Sequence, residues 1–193
     1  MRLSRRRALL GLLALAPGLG RPAFALAQSD AAESEAQAAE YRIKAAFLYK
    51  FLGFVEWPPA TAVNASAPFV IGVLGGDGFA QTLARTVAGR QIRGRPIVVR
   101  SLNRGERVGD LQVLFIGRDE AAHAPALLTQ AKGQPLLTVS ETGASFDLDS
   151  MINFVVIDDK VRFDIALQRA EASGLKISAR LLAVARRVLP NST

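Results

Sequence analysis

The chain has 193 residues, half of them apolar, with 24 basic against 17 acidic side chains, a formal charge of +7, one histidine and no cysteine. That composition suits a folded domain with a core of its own and excludes a disulfide-stapled scaffold, a thiolate metal site and thiol chemistry. So strong a positive balance points to nucleic acid only if it belongs to the folded part, and the distribution of charge along the chain says that most of it does not.

Residues 1–27 have the three-part pattern of an export signal. Arg2 and Arg5–Arg7 come first, then the apolar segment Ala8–Leu19, then Ala25-Leu26-Ala27 before Gln28. A membrane-spanning helix needs about 20 apolar residues, and this run is broken at Pro17-Gly18 and again at Gly20-Arg21-Pro22, so cleavage is expected rather than anchoring. Ser4-Arg5-Arg6-Arg7-Ala8-Leu9-Leu10 also resembles a twin-arginine signal, with Ala8 where phenylalanine is usual, and both export routes stay open. Cleavage removes Arg2, Arg5, Arg6, Arg7 and Arg21 and no acid; 24 minus 5 leaves 19 basic residues against 17 acidic ones, a balance of +2. No nucleic-acid partner is therefore expected, and the mature protein belongs outside the cytoplasm.

Residues 28–40 hold Ala, Glu, Ser and Gln without a large apolar side chain, and read as a flexible leader or the exposed first turns of a helix. The folded domain is expected over 41–189. Tyr41–Trp57 is predicted as a helix that is apolar almost all round: Ile43, Phe47, Phe51 and Phe54 form one stripe, and Leu48, Leu52 and Val55 another. A surface helix needs only one apolar face. Either this one is sunk between a sheet and other helices, or a face made of Phe47, Leu48, Phe51, Leu52 and Val55 meets a second subunit or a partner. Pro58-Pro59 should end it.

Pro68–Leu74 is a buried strand, which Gly75-Gly76-Asp77-Gly78 turns into a helix reaching about Val87. Such a turn can cradle phosphate on free amide groups. Here the G-x-G-x-x-G spacing is absent, no Gly-Lys-Ser/Thr follows, and no acidic ribose ligand stands in place. A tight turn with Asp77 capping the helix is expected. From Arg85 to Arg107 the chain carries Arg85, Arg90, Arg93, Arg95, Arg100, Arg104 and Arg107 against the single acid Glu106, with a strand at Pro96–Val99. Arg90, Arg93, Arg95 and Arg100 are the candidates for an anion seat or a contact with an acidic partner; the alternative is a solvated sheet edge, where arginine discourages strand pairing.

Val113–Ile116 is a further buried strand, Asp119-Glu120 begin a helix to about Ala131, Pro135–Val139 is a strand and Ser140–Ser150 a polar loop. Met151–Ile157 is an apolar run suited to a strand covered on both faces. Asp158-Asp159 make a two-residue turn, and Val161, Phe163 and Ile165 alternate with Arg162 and Asp164 on the return strand. A helix from Ala166 to about Ser173 closes on Gly174. Ser178 then caps a second helix with Leu181, Leu182, Ala185, Val188 and Leu189 as its apolar stripe. These elements predict an α/β fold: a single three-layer domain, a mixed central β-sheet with helices on both faces, and a C-terminal β-hairpin followed by a helix pair.

Reactive chemistry is poorly supported. His123 is the only histidine, there is no cysteine for it to activate, and no G-x-S-x-G elbow appears. Asp147, Asp149, Asp158 and Asp159 are the only carboxylates with a calcium-like clustering, and two of them are turn residues. No enzymatic activity, metal or cofactor is expected.

Three stretches carry a resemblance. Met151–Ala185 (MINFVVIDDKVRFDIALQRAEASGLKISARLLAVA), Lys44–Pro58 (KAAFLYKFLGFVEWP) and Phe69–Phe79 (FVIGVLGGDGF) occur in the order and at the spacing of the YfiR family, and together they run from Lys44 to Ala185. The resemblance implies a periplasmic regulator, expected as a homodimer, that binds the periplasmic part of an inner-membrane diguanylate cyclase and restrains it, lowering cyclic-di-GMP and biofilm formation. The alternative is a periplasmic receptor domain for a small anion or nucleotide, without a cyclase partner. Two departures stand out. Leu111 occupies a position where family members often carry a cysteine, so no disulfide can tune this chain, and Asp149-Ser150 replace the usual glycine pair before Met151-Ile152.

Overall fold

The computed structural model describes residues 23–59, 67–141 and 150–189, with side chains from residue 33 onward. Most of the expected signal segment, the loop carrying Asp147 and Asp149, and the Asp149 half of the replaced glycine pair lie outside the described residues. The chain divides into two units, Met1–Glu35 and Ala36–Thr193. Of the first, only helix from Ala23 onward is described; all that follows concerns the second.

The elements run in the order α1 (Ala23–Phe54), β1 (Val55–Glu56), β2 (Phe69–Leu74), α2 (Asp77–Val87), β3 (Gln91–Ile92), β4 (Arg95–Leu102), β5 (Val113–Ile116), α3 (Ala124–Ala131), β6 (Leu137–Ser140), β7 (Ile152–Ile157), β8 (Lys160–Ala166), α4 (Leu167–Ala172), β9 (Lys176–Ile177), α5 (Ala179–Val184) and β10 (Arg187–Leu189). Eight strands form one mixed sheet in the order β10-β8-β7-β6-β5-β2-β4-β3, and β1 pairs with β9 in a separate two-stranded ladder. β4, β2, β5, β6 and β7 are mutually parallel, whereas β8 returns antiparallel beside β7. The expected mixed sheet is therefore present, with antiparallel pairs at the C-terminal hairpin and, at the other edge, between β3 and β4. Asp158 and Asp159 form the hairpin turn at φ 49° and 56°, the left-handed pair that matches the twist of the flanking strands.

Helices cover both faces. Leu48, Phe51 and Leu52 of α1, Phe79 and Leu83 of α2 and Ala170 of α4 pack in one cluster with Ile71, Phe115, Val139, Phe154 and Phe163 of the sheet. Ala124, Leu127, Leu128 and Ala131 of α3 pack in a second cluster with Leu74, Leu102, Leu114 and Ile116. β2 and β5 read as unbroken apolar runs because both of their faces are covered. Gly72 serves the second cluster: a Cβ there would lie 2.6 Å from Leu111 Cδ1. Leu111 is thus an ordinary core residue.

α1 is helical and exposed over residues 33–38, the second of the two readings given for 28–40. Three boundaries differ from the sequence expectation. α1 stops at Phe54, because Val55-Glu56 pair with Ile177-Lys176 and Pro58-Pro59 favour extended backbone ahead of them. The helix expected from Asp119 is split. A short 3-10 turn at Arg118–Glu120 precedes α3, which restarts with Pro125 in its first turn, where a missing N–H costs nothing. Val188 and Leu189 do not extend α5. They lie on β10, whose Arg187 pairs in register with Asp164 of β8. The carboxylate of Asp164 has no solvent exposure and accepts bonds from Arg186 Nε at 2.7 Å and Arg187 Nη2 at 2.7 Å. A buried charge must be paired, and the two cations that pair it are Arg186, in the bend before β10, and Arg187, the first residue of β10.

Candidate functional site

In open α/β sheets ligands collect at the C-terminal ends of the parallel strands, where successive connections leave in opposite directions. Here β2 is flanked by β4 on one side and β5 on the other, so the reversal lies between β2 and β5. The loops meeting there are Gly75–Asp77 and Gly117–Glu120, with the upper part of α1 beside them.

Lys44 dominates this end. It is 1% exposed, and its ammonium group bonds both Glu40, one helical turn earlier, and Glu141, just beyond β6. Glu141 also accepts the backbone N–H of Arg118 at 3.1 Å, and the Arg118 guanidinium stands 3.4 Å from Glu40 Oε1. Helix α1 is thus tied to the ends of β5 and β6 by charge. Tyr41 packs edge-on against Phe79, centroids 5.6 Å apart, and its hydroxyl accepts from Gln37 at 3.1 Å. Burial, then the nearby Glu141, Asp119 and Glu40 carboxylates, raise its pKa above the usual phenol value, outweighing the Gln37 bond, so it stays neutral.

At the glycine turn that starts α2, the chain supplies a carboxylate of its own to a backbone amide. Gly75 and Gly76 have φ of 72° and 63°. The Asp119 carboxylate accepts the Gly76 N–H at 3.3 Å. A Cβ on Gly75 would come within 2.6 Å of Asp119 Oδ1, and one on Gly117 within 2.7 Å. The glycines therefore make room for an aspartate of the chain itself, at a helix N-terminus of the kind that can hold a phosphate in other proteins. Asp77 does not cap α2 with its side chain, as the sequence suggested; the N-cap position is Gly76. Further out, Arg104 holds Glu120 through two bonds of 2.9 Å, which pull the Glu120 pKa below the ordinary carboxylate value. His123 Nδ1 lies 3.2 Å from the same carboxylate and is half exposed. No cluster of metal-ligating side chains occurs among the described residues.

The four arginines singled out by the sequence do not converge. Arg100 makes a bidentate pair with Asp110, at 2.8 and 3.0 Å, which neutralises it and removes it from any shared seat. It also stands an odd number of residues from Arg95 on β4, so the two point to opposite faces of the strand. The other three gather at the opposite end of the sheet, around the C-terminus of α1. Arg90 lies over the Tyr49 ring at 4.7 Å. Arg93, at φ 52°, donates to the Val55 carbonyl at 3.0 Å. Arg95 donates to Ala67 O and Pro68 O at 2.7 and 2.9 Å and lies over Phe69, whose ring meets Trp57 edge-on at 5.0 Å. The arrangement is a guanidinium–aromatic rim in which Arg90 and Arg93 remain exposed.

The proposed subunit face on α1 is turned inward. Leu48, Phe51, Leu52 and Val55 have no solvent exposure. Phe51 packs on Phe154 and Phe163 at 5.7 and 4.9 Å, and half-buried Phe47 touches the same two rings. These side chains are core, since the hairpin β7–β8 covers the helix face that looked spare. Among the described side chains of α1, Ile43 is the one large apolar residue that is well exposed. The sequence reading passed over Lys44 and Glu141. The available signal was a lysine four residues after Glu40 and four before Leu48, on the face that carries the buried stripe.

A family model described as YfiR/HmsC-like matches residues 41–186, from Tyr41 of α1 to Arg186, the first of the two arginines that hold Asp164. No curated protein matches the chain.

Proposed function

The chain belongs to the YfiR/HmsC-like family, and from that membership we propose that it is a periplasmic regulator that binds the periplasmic part of an inner-membrane diguanylate cyclase and holds it inactive. The family match over residues 41–186 carries this proposal. Two structural facts favour a binding surface over a ligand-processing crevice. At the reversal point of the sheet, Asp119 fills the glycine turn and Lys44 is enclosed by Glu40 and Glu141, which also speaks against a nucleotide receptor. At the other end, Arg90 and Arg93 are exposed and anchored on Tyr49 and Val55, a rim suited to an acidic partner segment. Among the described residues no helix is long and apolar enough to cross a membrane. Restraint requires tighter binding to the inactive cyclase than to the active one.

Deletion of the gene should raise cellular cyclic-di-GMP, and the tagged protein should co-purify a diguanylate cyclase from membrane fractions. Arg90→Glu with Arg93→Glu should weaken that capture and leave the thermal midpoint nearly unchanged, because both side chains are exposed. Unchanged cyclic-di-GMP on deletion, with no cyclase captured, would reject the proposal.

A further inference from the structure

β4 is eight residues long, but its outer edge is covered over only the first part of that length. β3 pairs with it at Arg95 and Pro96, and the Ile97 N–H donates to the Arg90 carbonyl at 3.4 Å. Backbone groups alternate from one side of a strand to the other. The N–H and C=O of Val99 and Ser101 therefore point the same way as those of Ile97, away from β2. Among the described residues no strand lies on that side beyond Ile97. Ser101 is exposed there, and so is the Val98 side chain, at 44%. An open edge of this kind is a template for a further strand. The charge around it is one-sided. Arg90, Arg93 and Arg95, at the β3 end, bond to carbonyls or lie over rings and keep their charge. Arg107, in the loop after β4, is exposed. Arg100 and Arg104 are neutralised by Asp110 and Glu120, and Glu106, the one acid between Arg90 and Arg107, is bonded to Asn103.

We propose that the free edge of β4 takes up one extended acidic segment of a partner protein as an added strand. The backbone of Val99 and Ser101 bonds it, and its carboxylates lie beside Arg90 and Arg93 at one end and Arg107 at the other. This rests on the reading of Arg90 and Arg93 as a rim for an acidic partner, and adds the conformation in which that partner is bound. Charge selects the occupant. A second copy of this chain brings the same arginines against its own edge, and a basic strand meets like charge. In strand addition the main-chain bonds supply affinity whatever the sequence, so the arginines supply the choice of partner.

The probe is a blocked, fluorescein-labelled peptide of alternating glutamate and valine, as long as β4, titrated with the purified mature protein and followed by anisotropy. Saturable binding is expected, weaker at high salt and absent for the lysine–valine counterpart. Methylating every backbone nitrogen of the peptide keeps its charge and removes its donors. Binding should then fall by at least about tenfold, the scale of a few lost hydrogen bonds. Ser101→Pro removes an outward N–H at an exposed edge position, where proline is tolerated, and should weaken the parent peptide by at least about threefold. The methylated peptide, tested on the unaltered protein, decides the matter if that variant is destabilised. Arg90→Glu with Arg93→Glu should weaken binding as well. If it does while the methylated peptide binds as well as its parent, the arginine rim stands and strand addition falls. No saturable binding of the glutamate–valine peptide, or equal binding of the lysine–valine one, overturns the inference. A dimer in sedimentation velocity that Ser101→Pro dissociates assigns the edge to a second copy and overturns it too. The assay contains no cyclase, so failure to capture one from membranes rejects the regulatory function separately.

Discussion

Replacing Lys44 with methionine tests the central electrostatic feature of the fold. The substitution preserves the length and most of the apolar stem of the side chain and removes only the charge, so packing against Leu48 and its neighbours is retained. What changes is the company of Glu141. Its side chain is 6% exposed, and without the ammonium group its remaining bonding partner among the described residues is the Arg118 N–H at 3.1 Å. Removing one member of a buried pair typically costs about 3–5 kcal/mol, because the other charge stays behind. For a domain of this size each kcal/mol shifts the midpoint by about 2–4 °C, so a fall of roughly 6–20 °C is expected in thermal unfolding followed by circular dichroism. The double variant Lys44→Met with Glu141→Gln keeps an oxygen acceptor for Arg118 N–H and leaves no buried charge. It should recover at least half of the loss, as neutral replacements of buried pairs do. A midpoint within about 2 °C of wild type for Lys44→Met, or no recovery in the double variant, would refute the assignment of Lys44 and Glu141 as a mutually dependent buried pair.

Asp164 should behave similarly and adds a pH signature. Burial alone would raise its pKa, but the bonds from Arg186 and Arg187 outweigh it and hold it below the ordinary aspartate value. Its contribution is therefore complete above the unfolded-chain value of about 3.9 and is lost as pH falls through the lower folded value. Asp164→Asn should cost about 3–5 kcal/mol at pH 7 by urea unfolding, with the gap to wild type narrowing at pH 3; a gap independent of pH would show that the carboxylate charge is not what matters. Gly75→Ala places a Cβ at φ 72° and 2.6 Å from Asp119 Oδ1, for an expected loss of about 1–3 kcal/mol. Adding Asp119→Ala should return part of that loss, the clash but not the backbone strain, and a full return would mean that the left-handed backbone carries no cost there.

Much of the architecture was legible from side-chain order because local rules decide it. Unbroken apolar runs at Phe69–Leu74 and Val113–Ile116 mark strands covered on both faces, alternation from Val161 to Ile165 marks the return strand, and paired aspartates with φ above zero make the hairpin turn. The helix with two apolar faces was equally visible, yet its meaning was not. Only the hairpin stacking Phe154 and Phe163 on Phe51 showed that the second face is interior. The arginine-rich stretch was ambiguous for the same reason. Whether guanidinium groups share a seat depends on strand parity and on which carbonyl, ring or carboxylate each one reaches, and Asp110 claims Arg100 while Tyr49 and Val55 hold Arg90 and Arg93.

What the sequence determined by itself, then, was the principal strands and helices and the family resemblance, which follow from periodicity and from contacts between near neighbours. Tertiary structure alone decided the charge pairing. Lys44 meets Glu141 across 97 positions of chain, and Asp119 reaches the Gly76 amide across 43. No local pattern encodes such pairs, because the energy that selects them arises only once folding has removed water from around both partners.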